Sequence, residues 1–265
     1  MNLIRPDKII VGMIHVDALP GTPNHQLSVC EIARKAALEA KLYHDEGVDA
    51  IMIENMHDTP YLNKNADHEI TAAMTVIAHE VKNAIRLPVG IQILAGANKQ
   101  ALAVANAVDL DFIRAEGFVF SHIADEGMMN SCAGELLRYR KNIGADKVKI
   151  LTDIKKKHSS HALTADVSLL ETAKAAEFFL SDGVIITGNS TGEAVEPSDL
   201  AGLKSEIKLP VIIGSGISNE NIYTYWNQAD VFVVGSHFKL DGHWTKGVDP
   251  GRVQKFMRTV HSLRQ

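Results

Sequence analysis

Eight short apolar runs separated by helix-sized gaps predict an α/β chain folded as a single (β/α)8 barrel. Two further observations point the same way. The runs are nearly continuous valine and isoleucine, as parallel strands covered on both faces require, and each ends in a polar or glycine-rich tip. In such barrels chemistry gathers at the carboxyl ends of the strands, so the tips mark where to look for function.

The first run, Ile9 to Ile14, ends at His15 and enters a long loop, His15 to Leu27, stiffened by Leu19-Pro20-Gly21-Thr22-Pro23. A helix over Ser28 to Glu46 opens with a capping box, Ser28 with Glu31, and stops at Gly47. Ala50 to Ile53 ends in Glu54-Asn55, and a helix over Asp67 to Arg86 is closed by Leu87-Pro88. Val89 to Leu94 ends in Ala95-Gly96, and the alanine-rich helix Asn98 to Val108 suits close packing on a sheet. Phe112 to Ala115 ends in Glu116-Gly117, and a helix over Ser131 to Ile143 has Gly144 as its C-cap. Val148 to Leu151 leads to Asp153 and a second long loop, Asp153 to Val167, before a helix over Ser168 to Leu180. Val184 to Ile186 ends in Gly188-Asn189, Val211 to Ile213 in Gly214-Ser215-Gly216, and Val231 to Val234 in Gly235-Ser236. Helices over Pro197 to Ile207, Ser218 to Gln228 and Asp249 to Leu263 complete the count, with Pro197 and Pro250 where a first turn accepts proline.

A helix end followed by Asp recurs before several strands, at Asp49, Asp111, Asp182 and Asp230, as a weak internal βα repeat. No linker divides the chain, so residues 1–265 read as one domain. A doubly wound open sheet is the alternative architecture, but no dinucleotide fingerprint accompanies it. With 265 residues and 46% hydrophobic content the chain can bury a large core. A net charge of -5 without a basic tract argues against nucleic-acid binding, and no apolar stretch is long enough for a transmembrane segment. Met1 to Lys8 shows no leader signature, so the expected compartment is the cytoplasm, with import without a leader as the alternative. Cys30 and Cys132 read as reduced helical thiols.

The last two tips, Gly214-Ser215-Gly216 and Gly235-Ser236, are the expected anion site: glycine lets a phosphate approach backbone N–H groups that a Cβ would shield. Tight turns that merely need small residues are the alternative. Gly188-Asn189-Ser190-Thr191-Gly192 could add donors to the same region. Acid and base candidates are Glu54, Asp58, Glu116 and Asp153, with Glu54 and Asp153 the pair whose pKa values a dry mouth could separate. Each could equally cap a loop or pair with Arg114 or a lysine. Arg114, within the fourth strand, could clamp a carboxylate or phosphate.

His15, His57, His122, His158, His161 and His237, six of twelve histidines, follow strands on this face. Together with Glu54 and Asp153, His15 could supply a divalent metal site, although no HExxH or HxH spacing is present and a structural histidine is the commoner case. Lys155, Lys156, Lys157 and His158 concentrate charge beside the expected phosphate site. One lysine could grip an anion or act as an amine nucleophile, while the others form a solvated surface run.

Across essentially its full length the chain resembles the BtpA/SgcQ family, and especially its eukaryotic members. The matching segments are Gly12-Met13-Ile14-His15 with Ala18-Leu19-Pro20-Gly21, Glu54-Asn55-Met56-His57-Asp58, Asp111-Phe112-Ile113-Arg114, Leu136-Leu137-Arg138-Tyr139-Arg140, Lys157-His158 and Ile213-Gly214-Ser215-Gly216. The resemblance implies a TIM barrel of the ribulose-phosphate-binding type but no settled activity. The family takes its name from a role of cyanobacterial members in photosystem I accumulation, and nothing in this sequence requires a photosynthetic host. Asp153, Lys157 and His158 match the family's fifth-loop pattern, whereas His161 and the triple lysine look particular to the eukaryotic branch.

Two classes of function follow. One is an isomerase, lyase or hydrolase acting on a small phosphorylated metabolite. In it Glu54 and Asp153 are base and acid, His158 or Lys157 polarises the substrate, and Arg114 with Gly188, Gly214, Ser215, Gly216, Gly235 and Ser236 holds the anion. The other is a non-catalytic assembly or regulatory factor that uses the barrel surface. Barrels of this kind commonly form homo-oligomers, and organised acids and bases at the mouth favour the enzyme.

Overall fold

The computed structural model describes residues 7–188, 194–200 and 202–265. Eight parallel strands close into a barrel: β1 Ile9–His15, β2 Ala50–Glu54, β3 Val89–Gln92, β4 Phe112–Ala115, β5 Lys149–Asp153, β6 Gly183–Ile186, β7 Val211–Ile213 and β8 Val231–Val234. Each pairs with its neighbours in chain order, and β8 returns to β1 with Ile9 opposite Val231.

Every strand is buried on both faces, which is why each reads as an unbroken apolar run. The two faces feed separate cores. One residue in two, including Met13, Met52, Phe112, Leu151, Ile185, Ile212 and Val233, points inward and fills the barrel. The alternate residues meet the surrounding helices. At Gly90 a Cβ would lie 2.1 Å from the Phe112 ring, so the glycine is what admits that ring.

Helices α1 Val29–Asp45, α2 His68–Ala84, α3 Asn98–Ala107, α4 Ala133–Asn142 and α5 Leu169–Phe178 surround the first half of the barrel and beyond. The Ser28–Glu31 capping box forms as expected, and a second, Ser168 with Glu171, opens α5. The last half departs from expectation. The helix expected over Pro197 to Ile207 is two short pieces, α6 Pro197–Leu200 and α7 Leu203–Glu206, and Gly202 at φ 77° caps the second. The helix expected over Ser218 to Gln228 is only α8 Ile222–Tyr225. Asn221 instead bonds the backbone at Ser218 and Gly216, the local competition that keeps asparagine out of helix interiors. Helix α9, Pro250–Leu263, closes the chain behind the Asp249 N-cap.

The repeated aspartates acquire a common role at the end of the barrel opposite the mouth. Asp49, Asp111, Asp182 and Asp230 each accept the backbone N–H of a residue at or near the start of the preceding strand: Ile10, Val89, Ile150 and Val211, at 2.8–3.0 Å. The brace therefore recurs once per two βα units, before β2, β4, β6 and β8. Basic side chains, among them Arg264, Lys82, Arg140 and Lys204, pair with the four carboxylates.

A three-stranded antiparallel sheet covers one side of the mouth, built from His122–Ala124, Gly127–Met129 and Ser159–Ser160. Two of its strands lie in the long loop after β4 and one in the loop after β5. The sequence reading anticipated the second of these loops but neither the first nor the sheet.

Candidate active site

One further step of the inward, two-residue spacing leads from the apolar lining to a polar layer. Met13 is followed by His15, Met52 by Glu54, Phe112 by Arg114, Leu151 by Asp153, Ile212 by Gly214 and Val233 by Gly235; Gln92 joins them from β3. These seven residues line a cavity of 890 Å³ at the carboxyl end of the strands. The first three tips stand side by side, with His15 opposite Glu54 and Glu54 opposite Gln92 in the strand register.

Arg114 and Asp153 form a bidentate pair, Nε to Oδ2 and Nη2 to Oδ1, both at 2.8 Å. Burial works against the guanidinium's charge, but Asp153 more than offsets it and holds Arg114 firmly protonated. The acid role expected of Asp153 does not suit this geometry, because both of its oxygens already accept from a permanent cation. A Cβ on Gly214 would lie 3.4 Å from Arg114 Nη2, and one on Gly235 3.4 Å from the His15 ring. Those spacings are ordinary contacts; what requires glycine at 214 is Ile185, whose Cγ2 would lie 2.5 Å from a Cβ there.

Glu54 is buried, and among the described residues its carboxylate has no hydrogen bond; the nearest partner is His15 Nε2 at 3.6 Å. Burial raises its pKa, against the opposing pull of Arg114 and Lys157. His15 lies against the Trp244 ring and its Nδ1 meets the Trp244 carbonyl at 3.1 Å. Burial foremost, then the charge of Lys239, keeps its pKa well below the usual imidazole value. Trp244 also contacts the His57 ring at 5.0 Å, forming an aromatic wall that sequence reasoning missed.

The three lysines separate into different roles. Lys155 donates to the Thr164 carbonyl at 2.7 Å. Lys156 latches the cover: its Nζ meets Glu116 at 3.0 Å and Glu126 at 3.3 Å, and Gln92 Nε2 donates to Glu116 as well. Neither lysine belongs to a solvated run. Lys157 lines the cavity, and among the described residues its Nζ has no hydrogen bond or ion pair. Burial, then the charge of Arg114, lowers its pKa.

Of the other expected residues, Glu116, His158 and His237 line the cavity, whereas Asp58 and His122 do not. Asp58 accepts from Leu19 N and Asn55 Nδ2, at 2.8 and 2.7 Å, and so fastens the first loop; it is not presented to the cavity. Glu116 is committed to the latch. His122 is buried in the cover beside the His161 ring, and burial, then Lys156, pushes its pKa down to about 4. His158 is exposed at the rim, and His237 also lines the mouth.

Ser215, Gly216 and Ser236 line the cavity near Gly214 and Gly235, and Gly216 has φ 74°, a conformation natural to glycine. Among the described residues the backbone N–H groups of Gly216 and Ser236 have no acceptor. Gly188 is buried at the end of β6, whereas Asn189, Ser190, Thr191 and Gly192 lie outside the described residues. The metal set His15, Glu54 and Asp153 does not assemble, since Asp153 is taken by Arg114. Among the described residues no group of three His, Cys, Asp or Glu side chains could hold a metal ion.

Among the described residues no helix is long and apolar enough to cross a membrane. An uncharacterized mitochondrial protein of Caenorhabditis elegans is 46% identical to the chain, covering 100% of it and 96% of the relative. That relative's name gives a compartment other than the cytoplasm expected here. The photosystem I biogenesis protein BtpA of Synechocystis is 32% identical, over 95% of this chain and 87% of its own. Among solved structures, thiamine phosphate pyrophosphorylase from Pyrococcus furiosus superposes with a TM-score of 0.58 at 17% identity, over 99% of both chains. Phosphoribosyl anthranilate isomerase from Thermus thermophilus gives 0.59 at 11%, over 96% of this chain and 99% of that one. Both likenesses bear out the (β/α)8 fold. Residues 6–262 match the profile of the BtpA family, and with those relatives they show that the chain belongs to it.

Proposed function

We propose that the chain is an enzyme that performs acid–base chemistry on a small phosphorylated metabolite at the barrel mouth, within the isomerase, lyase or hydrolase classes. The observation that carries this reading is Glu54, a buried carboxylate of raised pKa, facing an 890 Å³ cavity with no hydrogen bond to its oxygens among the described residues. A carboxylate kept only for structure would be satisfied, as Asp58 is.

In this reading Glu54 carries the proton and neutral His15 orients it. Asp153 positions Arg114, whose Nη1 has no partner among the described residues and can meet an anionic group. The N–H groups of Gly216 and Ser236 supply the phosphate donors, with Gly214, Ser215 and Gly235 shaping the space around them, whereas Gly188 does not line the cavity. Lys157 and His158 stand over the substrate from the fifth loop. The names of the two structural neighbours, both of which mention phosphorylated compounds, support the substrate class.

The experiment is a thermal-shift and turnover screen over phosphorylated metabolites, repeated with Glu54→Gln. An enzyme shows a ligand-dependent shift, and the amide variant keeps the shift while losing turnover. The biogenesis role in the name of the Synechocystis relative favours a second reading, an assembly factor. Full cellular activity of Glu54→Gln with no shift in the screen would favour that reading.

A further inference from the structure

We infer that the Lys157 amine is the nucleophile of a Schiff-base step, which assigns the mouth a substrate carrying an aldehyde or ketone in addition to its anionic group. This rests on the reading of the mouth as an enzyme site.

The argument starts from how differently three consecutive lysines are used. Lys155 is spent on the Thr164 carbonyl and Lys156 on two buried carboxylates. Lys157 lies in the same loop, within the electrostatic reach of Glu54, Asp153 and Glu116, yet its Nζ pairs with none of them. Its backbone, by contrast, is fixed: the N–H donates to Thr187 Oγ1 at 3.1 Å, and two residues later Ser159 enters the cover sheet. A lysine kept only to neutralise charge would be paired as Lys156 is. The permanent cation for an anionic group is already present in Arg114, which also disfavours a second positive charge beside it. An amine that is desolvated, next to another cation and open to a cavity is in the setting that activates lysine as a nucleophile.

The neighbouring groups complete the chemistry. The neutral Lys157 nitrogen adds to the carbonyl carbon as the C–O π bond breaks, and the proton the nitrogen then sheds passes to the oxygen to give a neutral carbinolamine. Glu54, whose burial favours its protonated form, then donates a proton to the departing hydroxyl. Water leaves, the C–N double bond forms, and the iminium draws electrons from an adjacent C–H or C–C bond. Glu54, now a carboxylate, can accept the proton of that C–H bond. Hydrolysis of the imine returns the amine and consumes the water released.

The test is reductive trapping of the 265-residue chain with pyridoxal 5′-phosphate, used only as an aldehyde that carries a phosphate, and sodium borohydride. Hydride reduces the imine to a stable secondary amine, and peptide mass mapping locates the label. Lys157 is expected to label roughly tenfold or more faster than exposed Lys99 and Lys141. Inorganic phosphate should slow that phase, and Lys157→Met and Lys157→Arg should abolish it while keeping the wild-type melting curve. Labelling of Lys157 no faster than of Lys99 and Lys141 overturns the inference. A thermal shift with phosphorylated ligands in that case would leave the broader enzyme reading standing. Fast labelling of Lys157 that phosphate does not slow supports the amine's role and counts against the phosphate site.

Discussion

Asp153→Asn removes one charge from a pair whose side chains are only 6% and 1% exposed, Arg114 and Asp153 respectively. Breaking one side of such a pair costs about 3–5 kcal/mol, because the remaining charge stays buried without compensation. An exposed pair would cost under about 1 kcal/mol. Glu54 and Glu116 also attract Arg114 and soften the loss, which places the cost in the lower half of that range. At about 2–4 °C per kcal/mol for a chain of this size, the melting temperature falls by roughly 6–16 °C. The double substitution Arg114→Met with Asp153→Leu removes both charges and recovers most of the stability, since apolar replacement of a buried ion pair is often close to neutral. Urea unfolding followed by far-ultraviolet circular dichroism measures all the variants. A single-variant cost below about 1 kcal/mol, or a double variant as unstable as the two singles added, would refute the desolvated-pair argument.

Three other outcomes follow from the same geometry. Glu54→Gln should raise stability at about pH 8 and leave it unchanged near pH 4. The raised pKa means that the folded chain keeps a proton the unfolded chain has released, so wild-type stability falls as pH rises through that window; urea midpoints at the two pH values check the sign. Lys156→Met leaves Glu116 and Glu126 facing each other without their shared cation, so hydrogen exchange should quicken across 118–131 and 156–161 while the barrel strands stay protected. Gly214→Ala puts a Cβ 2.5 Å from Ile185 Cγ2 and 3.4 Å from Arg114 Nη2; it should cost about 1–3 kcal/mol by overpacking and weaken phosphate binding in a titration.

The barrel was legible because parallel strands and strong caps leave long local patterns: the Ser28–Glu31 box and the Phe112 to Ala115 strand form where the residues place them. The cover was not, because strands of two or three residues such as Ser159–Ser160 are too short to show alternation. Glu54, Arg114 and Lys157 could be picked out as strand-end and loop residues on the chemical face. What each of them does depends on a partner from another strand. Asp153 looked like an acid until Arg114 was seen to occupy both its oxygens, and Gly214 looked like an anion contact before its close packing against Ile185 was visible. Gln92 was hidden inside an apolar run, and nothing local marked Trp244 as a wall of the mouth.

The four aspartate braces divide the barrel in a way the strand ladder alone does not. Each joins an odd strand to the even one that follows it, so no brace spans the connection from β4 to β5. Gly144 lies in that connection, exposed, with φ 69° and nothing within 4 Å of where a side chain would begin. A chain severed there would give two fragments, each retaining two whole braces. Each fragment would also carry half of the mouth: His15, Glu54, Gln92 and Arg114 on one, Asp153, Lys157, Gly214 and Gly235 on the other. Neither fragment could satisfy its own polar layer, since Arg114 and Asp153 would be parted. The buried ion pair would then act as the recognition element by which two co-expressed half-barrels find each other and rebuild the mouth.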